Sequence, residues 1–481
     1  MNNVIQKKNN AGYLLVVVLV FGGILFMIIA SFFGYIATQH KAVIQRVELQ
    51  KALDIAEAGL NYYKWFLAHY PNDITNGTGN PGPYTQVYYD PEGNAIGEFE
   101  LEVSSNAYCG DIASIEVSST GYTYSDPTLS RNITARYARP SVAEYSYIIN
   151  SNVWAGSDRE IVGPYHSNGG IRMDGTNYST VTSGLSSWTC NNSYGCSPSG
   201  TRDGVFTTTA NANPSLFSFP SAPIDFNGLT IDLSQMQDRA QNAGGIYLPA
   251  SGNYGYQITF NSNNTISVRR VTNTTQYWGY TSENGWVQER HVISSLSSAT
   301  NYAIDPSCPL IFVQDKVWLQ GTVADKVTIA AANVSSPSIN PQIILNSDIA
   351  YTSATSSGLL AIAEQDVLVG LNVPNNMTIN GIFVAQNGRF GRNHYCQSCN
   401  DSGHKGLPSS LDPYYLRNSL TVNGTIVSNG REGTKWTSGG VTSSGFNDRS
   451  NSYDRNLVLD PPPLVPNTSD VYTVTEWKDN Q

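Results

Sequence analysis

AGYLLVVVLVFGGILFMIIASFFGYIA, residues 11–37, decides how the rest of the chain is read. It holds no charged residue, and 14–36 is almost wholly apolar. A helix needs ~20 such residues to cross a bilayer, and this run is longer. Residues 1–10 are polar and carry Lys7 and Lys8, which argues for the N-terminus inside. Lys41 and Arg46 on the other flank weaken that orientation without reversing it. A cleaved secretory signal is the alternative. Its apolar core would be only ~7–15 residues, with a small-residue cleavage site behind it.

The helical pattern continues beyond Ile36. Leu49, Leu53, Ala56, Leu60, Tyr63 and Leu67 recur at alternating spacings of four and three, on one stripe. Gln50, Asp54, Glu57, Asn61 and Lys64 make an adjacent polar face. Ile55, Tyr62 and Phe66 form a second apolar strip, about 120° or more from the first at ~100° per residue. No proline occurs before Pro71. The reading is one helix over 13–70, ~85–90 Å long at ~1.5 Å per residue. One apolar strip holds a globular head. The stripe from Leu49 to Leu67 is assigned to packing against neighbouring copies. An ordinary single-pass anchor with a stalk is the competing reading.

Residues 71–83, rich in Pro, Gly and Asn, end the helix. Period-two alternation in 85–89, 97–103, 112–117 and 133–137, with a turn at 90–94, predicts a small antiparallel sheet as the head, 71–141. From 142 to 460 short apolar segments recur between Gly, Asn and Ser, notably at 147–153, 310–313, 326–330, 359–363 and 381–384. Strands of three to five residues at near-regular spacing predict an elongated parallel β-solenoid, a β-helix-like body. An irregular β-sandwich is the alternative. Residues 214–306 read as an insertion, with a short helix 235–243 capped by Ser234 and a hairpin at 256–271. The Pro-rich stretch 461–481 closes the chain. The fold class is thus mainly β with one long N-terminal helix.

Only 13% of the 481 residues are charged, against ~25% in soluble globular proteins, while Tyr, Gly, Ser, Thr and Asn abound. That is the texture of extracellular β-rich proteins. A net charge of −10 argues against nucleic acid as a partner. The six cysteines, an even count in an exported chain, favour disulfides. Cys190 pairs with Cys196 and Cys396 with Cys399. Cys109 and Cys308 pair by elimination, which would tie head to body. His394, Cys396, Cys399 and His404 could instead make a tetrahedral zinc site, although the spacing fits no standard finger. Asp315, Asp325, Asp348, Glu364 and Asp366 are scattered among predicted turn positions rather than gathered as a catalytic or calcium site would be. His166-Ser167 has no evident acid or base partner, and no nucleotide-binding or HExxH motif occurs. The expectation is a chain that is not an enzyme and uses no cofactor. The loops 177–194 and 431–453, rich in Trp, Ser, Gly and Asn, are candidates for an adhesive surface.

A short basic leader, the pair Ala11-Gly12, an immediate apolar run and a continuous amphipathic helix resemble a type IV prepilin. Ala56-Glu57-Ala58-Gly59-Leu60 resembles the PilX-type minor pilins. His166-Ser167-Asn168-Gly169-Gly170, and Tyr453-Asp454 followed by Pro461-Pro462-Pro463, resemble elements of large bacterial pilus-assembly proteins. The resemblance implies cleavage by prepilin peptidase between Gly12 and Tyr13, leaving a leader of 1–12, and assembly with other pilin subunits and the pilus machinery at the cell surface. Val17 stands where pilins carry Glu, which suits a minor, priming or tip subunit better than a repeating one. The alternatives are a tip adhesin that binds a surface ligand and, with less support, an anchored carbohydrate-active protein.

Overall fold

The computed structural model describes residues 11–71, 73–226, 232–334, 341–401 and 404–480. The leader residues 1–10, Lys7 and Lys8 among them, lie outside these. The chain divides into two compact units. The first comprises Met1–Ser104, Glu116–Ala135 and Trp477–Gln481. The second comprises Ser105–Ile115 and Arg136–Glu476.

The first unit is built on α1 (Ala11–His69), 59 residues without a break. Pro71 stops it, because a proline disfavours helical backbone at the residue before it. The Asp73 carboxylate then accepts from the Thr75 and Gly77 backbone N–H groups and holds the turn. A five-stranded sheet follows, in the order β1 (Tyr84–Tyr89), β2 (Ala95–Tyr108), β3 (Asp111–Thr123), β4 (Ser130–Ala138), then the C-terminal strand Thr473–Asp479. The β1–β2 pair is antiparallel, with a register shift at Tyr88/Tyr89. Inward residues such as Phe99, Leu101, Ile115, Val117, Ile133 and Ala135 are buried at period two.

The second unit is wound from three long parallel ladders and a shorter parallel set, 153–155, 171–173 and 205–206. The first ladder runs Ile246–Leu248, Leu310–Val313, Lys326–Ala331, Gly358–Ala363, 382–385, 426–428, Tyr147–Ile149, Tyr165–Ser167, Val181–Ser183, Phe217–Ser218. Successive stretches 256–260, 317–319, 343–345, 367–369 and 390–391 make a second ladder. The third passes through 321–323, 349–351, 376–380, 419–423, 449–452, 159–162 and 176–177. Between 310 and 391 the chain visits the three ladders in rotation, as stacked coils require, and over 147–183 it rotates through the first ladder, the shorter set and the third.

The chain enters this winding in its middle. Residues 147–218 coil towards one end, the chain returns to the other end, and 246–428 coil back until 426–428 pairs with Tyr147–Ile149. At that seam Arg159 donates to both oxygens of Glu432 at 2.7 and 2.6 Å, and Arg449 pairs with Asp158.

The strands Leu310–Val313 and Gly358–Ala363 of the first ladder are buried on both faces and read as unbroken apolar runs, LIFV and GLLAIA. Ile311, Val313, Leu359 and Ala361 face the interior of the coil. Leu310, Phe312, Leu360 and Ile362 face an outer layer with Leu233, Met236 and Ala240 of α2 (Leu233–Asn242), Ile224, Phe226 and the C-terminal Leu457, Leu464 and Val465.

The stretch 214–306 is not set apart as a whole. Ile246–Leu248 and 256–260 belong to the parallel ladders, while Thr265–Thr281 pairs antiparallel with Tyr256–Asn261, the expected hairpin, and with Gly285–Leu296 and Thr300–Ala303. The cap of α2 is Asp232 rather than Ser234, with its carboxylate accepting from the Ser234 and Gln235 N–H groups.

Candidate functional site

The surface that distinguishes this chain is α1. Tyr13–His69 is long and apolar enough to cross a membrane, and no part of its most apolar window is buried. The exposed apolar side chains run on through Val43, Ile44 and Val47. Cover by the sheet then begins at Glu48.

Glu48 is the first acidic residue of the helix. It is 8% exposed, and its carboxylate accepts from Ser125, from Thr123 at 2.6 Å and from Lys51 at 3.0 Å. The Ser125 hydroxyl first, then Thr123 and Lys51, hold its pKa down to about 2. The acid therefore fastens the helix to the sheet.

The stripe assigned to neighbouring copies is corrected by the structure. Ala56, Leu60, Tyr63 and Leu67 are buried within the chain itself, while Leu49 and Leu53 are half-buried. Ile55 and Phe66 of the second strip are buried as well. The sheet is wide enough to cover both strips because the helix lies close against it. A Cβ on Gly121 would sit 2.2 Å from the Ala52 carbonyl oxygen, and one on Gly59 would sit 2.3 Å from Ser119 Oγ. What the helix leaves exposed beyond Val47 is polar: Gln50, Lys51, Asp54, Glu57, Asn61 and Lys64, with Trp65 the main apolar exception. Small residues at 52, 56, 59 and 121 were the available signal of that intimate packing. Gly12 and Tyr13 lie in the first turns of α1, and Tyr13 is exposed.

The cysteines pair as 190–196, 396–399 and 109–308. Cys109 belongs to the second unit, which takes in the tip of the β2–β3 hairpin, so its bridge lies inside that unit. Cys109 and Gly110 both have positive φ, as two-residue hairpin turns require.

With Cys396 and Cys399 bonded to each other, the zinc alternative loses two ligands. Among the described residues no cluster of three or more His, Cys, Asp or Glu could hold a metal. His404 stacks on Trp286 at 4.0 Å, and His394 meets the edges of Tyr280, Trp286 and Trp436. Burial pushes the His394 pKa down.

The acids of the body are corner acceptors for neighbouring segments. Asp315 accepts from Ser251, Asp348 from the Thr378 N–H, Glu364 from the Asn333 N–H and Asp366 from the Arg389 N–H. Asp325 accepts from the Lys326 N–H beside it. His166 sits between Thr182 and Asn168, and Ser167 donates to the Ser151 carbonyl.

No protein-family model and no curated protein matches the sequence. Among solved structures, the competence-associated pilin ComZ from Thermus thermophilus is similar at a TM-score of 0.26 and 14% identity, over 90% of this chain and 97% of that chain. A likeness that low carries no conclusion about fold or function.

Proposed function

We propose that this chain is a type IV pilin-like structural subunit without enzymatic activity. It is anchored by α1, with its β-rich body outside the cell. The observation that carries the reading is the division of α1: an exposed apolar first half, continuous with a second half seated on an antiparallel sheet. A simple anchor needs ~20 residues and no such seat. Prepilin peptidase, other pilin subunits and the assembly machinery are the partners this implies. A minor, priming or tip position fits the absence of an acid before Glu48, since that acid is engaged with Thr123 and Ser125.

The test is recovery of the chain in the sheared surface fraction of its native cells. Presence there, lost when prepilin peptidase is deleted, supports the proposal. Retention in the membrane regardless of the peptidase contradicts it.

A further inference from the structure

The third ladder carries a groove on the second unit that the structural reading does not use. It has a volume of about 480 Å³ and is lined by Ala350, Tyr351, Ala354, Asn380, Asn423, Ser452 and the turn from Tyr453 to Asn456. That volume falls in the range of small-molecule sites, about 300–1,000 Å³. Adjacent coils set its floor, because Asn380 pairs with Asn423 across the ladder, and Asn423 with Ser452. The floor residues therefore repeat at the ~4.8 Å spacing of neighbouring strands.

Their hydrogen bonds can be counted. Asn380 donates to the Ile349 carbonyl at 2.8 Å, Asn423 donates to Asn380 Oδ1 at 2.8 Å, and Ser452 donates to Asn423 Oδ1 at 3.1 Å. A side-chain amide has two N–H donors and two acceptor lone pairs. Among the described residues, each asparagine thus keeps one N–H and one lone pair beyond the ladder. Paired donors and acceptors at fixed spacing match vicinal hydroxyls, each of which can both donate and accept. One wall is the Tyr453 ring, which packs over Gly163, where a Cβ would come within 2.7 Å of it. An aromatic face of this kind suits the C–H face of a pyranose. The wall's one carboxylate, Asp454, and one guanidinium, Arg455, offset each other, and Asp454 is occupied in capping α3 (Arg455–Leu459). Such a balance favours an uncharged ligand, and the polar floor disfavours a lipid tail or an apolar helix.

We infer that this groove binds a neutral oligosaccharide. The inference does not depend on filament assembly, and its failure would leave the proposed subunit role standing.

The experiment uses the full chain in a zwitterionic detergent, because glycoside head groups would compete. It is applied to a printed array of neutral and acidic oligosaccharides, and the best neutral glycan is then titrated calorimetrically. The expected result is saturable binding of at least one neutral glycan. Asn423→Ala should weaken it at least ~10-fold, by removing a donor and an acceptor together. Arg455→Trp places bulk at the exposed rim without touching the ladder, so it should block binding while leaving the melting temperature unchanged. Retention of acidic glycans alone, no retention at all, or neutral-glycan binding that survives both substitutions overturns the inference.

Discussion

Glu432→Ala tests the seam at which the two wound segments of the second unit meet. The side chains of Arg159 and Glu432 are 3% and 1% exposed, and their two contacts are 2.7 and 2.6 Å long. Burial alone would lower the pKa of the guanidinium. Glu432, with Tyr147 and Tyr165 beside it, more than offsets that, so the pKa of Arg159 is raised and it stays charged. Removing the carboxylate strands a buried cation beside Tyr147 and Tyr165, a loss of about 3–5 kcal/mol. At ~2 °C per kcal/mol for a large domain, the melting temperature should fall by about 6–10 °C. In a stacked winding each coil leans only on its neighbours, so the damage should concentrate at the seam. Hydrogen exchange of the full chain should therefore accelerate at 147–149 and 426–428 before 343–345 or 360–363. The double change Arg159→Met/Glu432→Leu removes both charges and should recover most of the lost stability. A loss below ~1 kcal/mol for the single substitution would refute the reasoning, as would a double variant no better than the single one.

Three further outcomes follow from the geometry. Leu60→Asp puts a charge at a position only 5% exposed beneath the sheet. It should unfold the first unit, seen as loss of its exchange protection, and an intact first unit with only assembly impaired would return this face to neighbour packing. Glu48 has a folded pKa of about 2, below the ordinary carboxylate range near 4.5. Its contribution to stability is therefore complete above about pH 4.5 and lost as pH falls towards 2, and Glu48→Gln should flatten acid unfolding of the first unit across that window. Thiol titration of denatured, unreduced chain should find no free cysteine, because all six are paired. Two free thiols with one retained zinc would instead assign His394, Cys396, Cys399 and His404 to a metal.

Much of the fold is legible in the sequence, because periodicity reports directly on local structure. An unbroken apolar and amphipathic pattern with no proline before Pro71 marks α1 to within a residue or two of its observed ends. Alternation marks the sheet strands, and short apolar runs such as 310–313 and 359–363 mark the first ladder. What periodicity cannot report is the partner. It places Leu60 and Tyr63 on a stripe but leaves open whether a neighbour or the chain's own sheet covers them. That depends on Gly59, Gly97 and Gly121, which let sheet and helix approach. Order along the winding is hidden for the same reason. Nothing local to Tyr147 or Ile426 indicates that strands so far apart in sequence are neighbours, and the charged residues that seal their seam look like ordinary turn residues. The groove at Asn380 and Asn423 is likewise invisible until two coils stack.

The account rests most on α1 being both anchor and assembly element, with the leader removed and the apolar half retained. Intact-mass and N-terminal peptide analysis of the membrane-extracted chain tests this directly. The account predicts a mature N-terminus at Tyr13, with residues 14–36 still attached to the body. An intact Met1, or a cut near Ala37 that releases the body, would contradict it.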